Sequence, residues 1–128
     1  MRYSTAKNTR PLNINFDAYS DGEDEEFKRE LLKLMKGSVL ELQVAAGESY
    51  SVRNAEIFKR AAHKAKSTLI LINDQELIAS VDDFKQHLIE VTDGLMNELN
   101  PAKKDKLNEL CDCIVESLEK EADRLQSP

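Results

Sequence analysis

The sequence has no tryptophan, two cysteines, and only four glycines and three prolines in 128 residues. Such low glycine and proline content excludes collagen-like and low-complexity chains. Aromatic residues make up 5% of the chain and charged residues 33%, against a typical charged share of about 25%. This composition and length predict a single, highly charged, helical globular domain.

Long hydrophobic runs are missing too. The longest uninterrupted apolar run is the four residues 69–72, whereas a membrane-spanning helix needs about 18 or more. Residues 1–15 lack the apolar centre of a secretory signal, so we expect a cytoplasmic protein with reduced thiols and no membrane contact. We expect residues 1–15 to form a flexible tail and residues 16–128 to form the domain.

Positive charge is in deficit, with 18 lysines and arginines against 24 aspartates and glutamates and a net charge of −6. Because a duplex binder must neutralise phosphates along its path, this balance argues against a nucleic-acid partner. It is compatible with one local basic patch.

Four segments repeat apolar residues at steps of three and four, the period of an amphipathic helix. The predicted helices run from the acidic residues 24–26 to about Gly47, from Ala55 to Ile72, from an N-cap at Asn73 through Leu95, and from Pro101 to Leu125. A link containing Ser49 and Ser51 separates the first two, and Asp93-Gly94 either ends or bends the third. Each helix has one apolar stripe, which predicts an all-α, antiparallel, up-down-up-down four-helix bundle that is monomeric.

Residues 53–66 depart from the acidic average with a net charge of +4. The charged residues of this basic segment are Arg53, Lys59, Arg60, Lys64 and Lys66, with Glu56 as the only acid. Such a segment attracts anions at one place on an otherwise acidic protein.

His63 lies within the basic segment, beside the buried stripe and not on it, so it is predicted to face solvent. Its neighbours one helical turn away are Lys59, Arg60, Lys66 and Ser67. Nearby positive charge favours the neutral, nucleophilic imidazole, and the same cations could stabilise an attacked phosphoryl group. Taken alone, the pattern also fits an ordinary exposed histidine among solubilising lysines.

Other kinds of site find no support in the sequence. No glycine-rich phosphate loop, H-E-x-x-H pair or G-x-S-x-G elbow occurs, so neither ATP binding nor hydrolase chemistry is predicted. Cys111 and Cys113 have a spacing that matches no common zinc or dithiol pattern. The second histidine, His87, is predicted to be a surface residue.

The segment A-A-H-K-A-K-S-T, residues 61–68, resembles the A-H-x-L-K-G-S signature of histidine-containing phosphotransfer (HPt) domains, the small four-helix bundles of multistep two-component phosphorelays. The similarity extends over residues 16–90, because E-E-F-K-R-E-L-L-K-L-M looks like the first bundle helix of the family and residues 73–88 look like the helix packed against the signature. Ala65 departs from the usual leucine, and Ser67 departs from the usual glycine.

The resemblance implies that His63 accepts a phosphoryl group from the phospho-aspartate of a receiver domain and passes it to another receiver. Lys66 would contact the phosphoryl oxygens. Lys59 and Arg60 would attract the acidic receiver pocket, and Ser67 and Ile70 would form the docking surface. The protein would then be a phosphocarrier without autonomous catalysis or a cofactor of its own, since the receiver brings Mg²⁺. Its partners would be response-regulator receiver domains or a hybrid histidine kinase.

Two other hypotheses stay open at this point. One is an HPt-like adaptor that docks a receiver or kinase without accepting phosphate, motivated by Ser67. The other is a purely structural or inhibitory helical bundle, which predicts that His63 is buried or unremarkable.

Overall fold

The computed structural model of the protein describes Leu12, Ile14 and residues 25–126, mostly as five α-helices. They are α1 (Glu25–Val52), α2 (Glu56–Lys64), α3 (Lys66–Ile72), α4 (Gln75–Thr92) and α5 (Pro101–Gln126). These residues contain no β-strand, which confirms the all-helical prediction. Leu12 and Ile14 are partly buried against the core; the rest of the predicted tail and its boundary at residue 16 lie outside the described residues.

The first helix is longer than predicted. It continues through Gly47 to Val52, so the predicted end at Gly47 and the predicted link at Ser49 and Ser51 are wrong. Glycine costs a helix only about 1 kcal/mol relative to alanine, and Ser49 is buried with its Oγ accepting the backbone N–H of Phe58 at 2.8 Å. This tertiary hydrogen bond favours the longer helix. The chain leaves it at Arg53, whose φ of 57° is left-handed.

Helical spacing of apolar residues predicts burial for two residues of α1 that the structure leaves exposed. Leu34 and Val44 are 70% and 63% exposed. Each is the immediate neighbour of a buried residue, Met35 or Ala45, and adjacent helical residues point about 100° apart. The buried stripe of α1 therefore includes only some of the apolar residues of this helix.

The second predicted helix is divided into α2 and α3 at Ala65, where φ is −84° and ψ is 0°. The helical spacing nevertheless persists, because the Ala65 N–H donates to Ala61 and the Leu69 N–H donates to Ala65, both at 2.9 Å. The predicted stripe is confirmed as buried along its whole length: Ala55, Phe58, Ala62, Ala65, Leu69 and Ile72. The joint is thus a local kink in one amphipathic segment.

A two-residue link, Asn73 and Asp74, connects α3 to α4. Asn73 does not cap α4 as predicted; it ends α3 in the left-handed conformation with φ of 56°. Asp74 is the N-cap, and its Oδ1 accepts the N–H of Leu77 at 3.0 Å. Because α4 contacts α2, the helix before α3, the chain must reverse at this link.

The end of α4 settles one open question and corrects one prediction. The helix ends at Thr92, and Gly94 has a left-handed φ of 79°, so Asp93-Gly94 ends it and Leu95 lies outside it, exposed. His87, predicted to be a surface residue, is only 2% exposed. Its Nε2 accepts the backbone N–H of Asn100 at 2.8 Å, just before α5 begins. The imidazole is therefore part of the packing between α4 and the start of α5.

We expect the two histidines to differ sharply in their effect on stability. Replacing His87 by alanine removes the acceptor for Asn100 and leaves a cavity, so the free energy of unfolding should fall by about 2 kcal/mol. Replacing His63, which is exposed, should change it by less than about 0.5 kcal/mol. Urea unfolding of H87A and H63A measures both; equal values would contradict the structural role of His87.

The helices enclose one apolar core. Helix α1 packs along α5 and α2, and α4 packs along α5 and contacts α2. Phe58 and Phe84, both fully buried, meet edge to face at its centre with ring centroids 5.0 Å apart. None of the helices in the described part of the chain has the length and apolar character needed to cross a bilayer.

Candidate functional site

A groove of about 560 Å³ lies between the α2–α3 segment and α4. Two stripes with helical spacing line it. One stripe comprises Lys59, Ala62, His63, Lys66, Leu69 and Ile70, and the other comprises Ile78, Val81, Asp82, Lys85 and Ile89. We call it the His63 groove.

His63 is exposed, as the sequence predicted, and lies on the rim of this groove. Its neighbour Ala62 is buried, which fixes the face of α2 that carries the imidazole. The carbonyl oxygen of His63 accepts a backbone N–H at the α2–α3 joint. The main chain on both sides of His63 is therefore held by the fold, while the ring remains accessible to a partner.

Two cations of the basic segment accompany His63 in the groove, namely Lys59 and Lys66. Within the described residues, neither lysine forms an ion pair or a hydrogen bond through its ammonium group. No carboxylate of the part of the chain that the structure describes pairs with either ammonium group. The groove combines an accessible imidazole with two ammonium groups available to an anion.

The remaining cations of the basic segment lie elsewhere. Arg60 pairs with Glu56 at 3.3 Å, and Lys64 pairs with Glu41 of α1 at 3.2 Å. Arg53 donates a hydrogen bond to the backbone oxygen of Asn97. The basic segment is thus one patch in sequence but several in space, and Arg60, a predicted docking residue, is outside the groove.

The floor of the groove is apolar. Of the two other predicted docking residues, Ile70 lines the groove and is 62% exposed, whereas Ser67 is exposed but not part of the lining. Ile78, Val81 and Ile89 supply the apolar face of α4. A partner entering the groove would meet an apolar surface next to the charged rim.

Two charged residues of the groove were missed from the sequence, Asp82 and Lys85 of α4. Each lies on a polar position of an amphipathic helix, which is usually only a solvated face. Counting helical residues on either side of the reversal at Asn73 and Asp74 could have found them, because that count gives their level relative to His63.

The thiol of Cys111 lies inside the core. Cys111 is buried, and burial together with the adjacent Asp112 raises the pKa of its thiol to about 12. The protonated thiol is a poor nucleophile and metal ligand at neutral pH. Among the described residues, no group of three or more histidine, cysteine, aspartate or glutamate side chains is placed to hold a metal ion.

Comparison of the chain with protein-family models, with curated proteins and with solved structures finds no match. Assignment of function therefore depends on the geometry of the groove and on the sequence around His63.

Proposed function

We propose that the protein is a histidine phosphotransfer protein of a two-component phosphorelay, with His63 as the phosphoacceptor. The observation that carries the proposal is the exposed imidazole on the rim of a groove that also contains the ammonium groups of Lys59 and Lys66. The resemblance of residues 61–68 to the HPt signature supports it independently.

The packing of the helices is consistent with the fold that this function implies. We infer an antiparallel four-helix bundle in which α2 and α3 form one kinked arm. The contacts between helices support this inference: α1 packs on α2 and α5, and α4 packs on α5 and contacts α2. These contacts close a ring of four arms.

The transfer would use few residues of this chain. An unprotonated ring nitrogen of His63 attacks the phosphorus of the receiver phospho-aspartate, the P–O bond to the aspartate breaks, and the carboxylate leaves with its electron pair. The imidazole then releases its N–H proton to solvent. Lys66 and Lys59 would stabilise the charge on the three phosphoryl oxygens, which is the main requirement of phosphoryl transfer. Mg²⁺ would belong to the receiver.

Docking would combine charge with apolar contact. The acidic pocket of a receiver complements the lysines on the rim, and the exposed Ile70 extends the apolar floor toward the partner. Arg60 and Ser67 would contact the receiver outside the groove. A cytoplasmic location and a monomeric state are part of the proposal.

Intact-mass spectrometry at neutral pH tests the carrier function. The protein is mixed with several phosphorylated receivers and Mg²⁺, and acid is avoided because phosphohistidine is acid-labile. We expect one added phosphoryl group on the wild type and none on H63Q. An equal gain of mass on both proteins would contradict the assignment to His63.

A second candidate is a non-phosphorylated adaptor that docks the same partners. Two observations favour it, Ser67 at the position where the family usually has glycine and the carboxylate of Asp82 inside the groove. An adaptor predicts that H63Q retains both receiver binding and regulation of the partner. A carrier predicts that H63Q retains binding and loses regulation.

A further inference from the structure

Lys85 and Asp82 form an ion pair on α4 inside the His63 groove. The Lys85 Nζ lies 4.0 Å from the Asp82 Oδ1, which is beyond hydrogen-bonding distance. The side chain of Lys85 is 38% exposed and that of Asp82 is 70% exposed. An ion pair this long and this open to water contributes little stability, so Lys85 can exchange its partner at low cost.

The register of the two helices places Lys85 opposite His63. His63 lies ten residues before Asn73, and Lys85 lies eleven residues after Asp74. The chain reverses at these two residues, and the helical hydrogen bonds persist through Ala65. Because the helical rise per residue is the same on both sides of the link, His63 and Lys85 lie within about 2 Å of the same level along the helices. Asp82 is almost one turn closer to the link.

We propose that Lys85 is a third phosphoryl-binding residue of the His63 groove, with Asp82 as its partner when no anion is bound. The three lysines of the groove, Lys59, Lys66 and Lys85, and its one aspartate, Asp82, sum to a net charge of +2, whereas the whole chain has a net charge of −6. Lys59 and Lys66 approach from the α2–α3 segment and Lys85 from α4. A phosphoryl group on His63 is therefore held between two helices, and Asp82 opposes it.

The presence of a phosphoryl group on His63 rests on the proposed function, but the binding of an anion to the groove can be measured without it. In the first measurement, inorganic phosphate is titrated into the full chain at pH 7.5 and the ring signals of His63 are followed by NMR. In the second, the small donor phosphoramidate replaces the receiver. Its P–N bond breaks, ammonia leaves, phosphorus bonds to a ring nitrogen of His63, and the imidazole releases its N–H proton to solvent.

Four variants are compared with the wild type. K85Q should weaken phosphate binding about three-fold or more and slow the reaction with phosphoramidate about five-fold, whereas K85R should retain both. D82N should strengthen phosphate binding about two-fold because it removes a repelling charge. The matched control is K64Q, since Lys64 follows His63 directly but pairs with Glu41 outside the groove; it should behave as the wild type.

The outcomes separate the two proposals. If His63 reacts normally and K85Q binds phosphate and reacts as the wild type does, the role of Lys85 is overturned and the proposed function stands. If His63 of the wild type reacts neither with phosphoramidate nor with any phosphorylated receiver but K85Q still weakens phosphate binding, the anion site stands and the phosphocarrier function is contradicted. An equal loss in K64Q and K85Q would overturn the specific role of Lys85.

Discussion

Replacing Phe58 by alanine should lower the free energy of unfolding by about 4 kcal/mol. The ring is completely buried and contacts Phe84 edge to face, so the variant loses apolar burial and an aromatic pair and gains a cavity. The backbone N–H of Phe58 also bonds to Ser49 of α1, which places this residue where α1, α2 and α4 meet. The helix that carries His63 would lose its main anchor.

Urea unfolding monitored by circular dichroism measures the effect. F58L is the conservative variant and should cost about 1.5 kcal/mol or less, because most of the volume is kept. L34A is the surface control on α1 and should cost less than about 0.5 kcal/mol. A loss below about 1 kcal/mol in F58A would contradict the central position of this ring in the core.

Replacing Lys66 by glutamine should slow phosphoryl transfer to His63 about ten-fold or more. Lys66 lines the groove one helical turn after His63 and has no ion-pair partner among the described residues. Its ammonium group can therefore bind the phosphoryl oxygens, and a hydrogen bond to a charged group contributes about 1.5–3 kcal/mol. The rate of phosphorylation by a phosphorylated receiver measures the loss.

The control for this substitution is K64Q, which removes the same charge closer to His63 in sequence but outside the groove. Its rate should stay within about two-fold of the wild type, since an exposed ion pair contributes little. Equal slowing by K64Q and K66Q would show that only overall charge matters, and would contradict a specific role for Lys66.

The sequence predicts well those features that depend on nearby residues of one helix, such as the repeat of apolar side chains. The steps of three and four from Ala55 to Ile72 correctly identify a buried stripe, and the position of His63 beside that stripe correctly predicts its exposure. Pro101 correctly predicts the start of the last helix, where the side chain of Asn100 accepts the N–H of Ala102 at 3.0 Å.

Features that depend on tertiary contacts could not be predicted in this way. Gly47 is a plausible helix end in isolation, but Ser49 bonds to Phe58 and the helix continues. In the sequence alone, His87 cannot be distinguished from a surface residue, because only folding brings the N–H of Asn100 to its imidazole. Lys85 becomes a candidate site residue only because the chain reverses after α3 and places α4 along the groove.

The most direct test of the account is the identity of the phosphorylated atom. Phosphorus–proton correlation NMR of the protein, phosphorylated by a receiver at neutral pH, should connect the phosphorus to the ring protons of His63, and the signal should be absent from H63Q. His87 is buried and should show no such correlation. Phosphorus bonded to any other side chain, or no stable phosphorylation with any receiver or with phosphoramidate, would contradict the assignment of His63 as the phosphoacceptor.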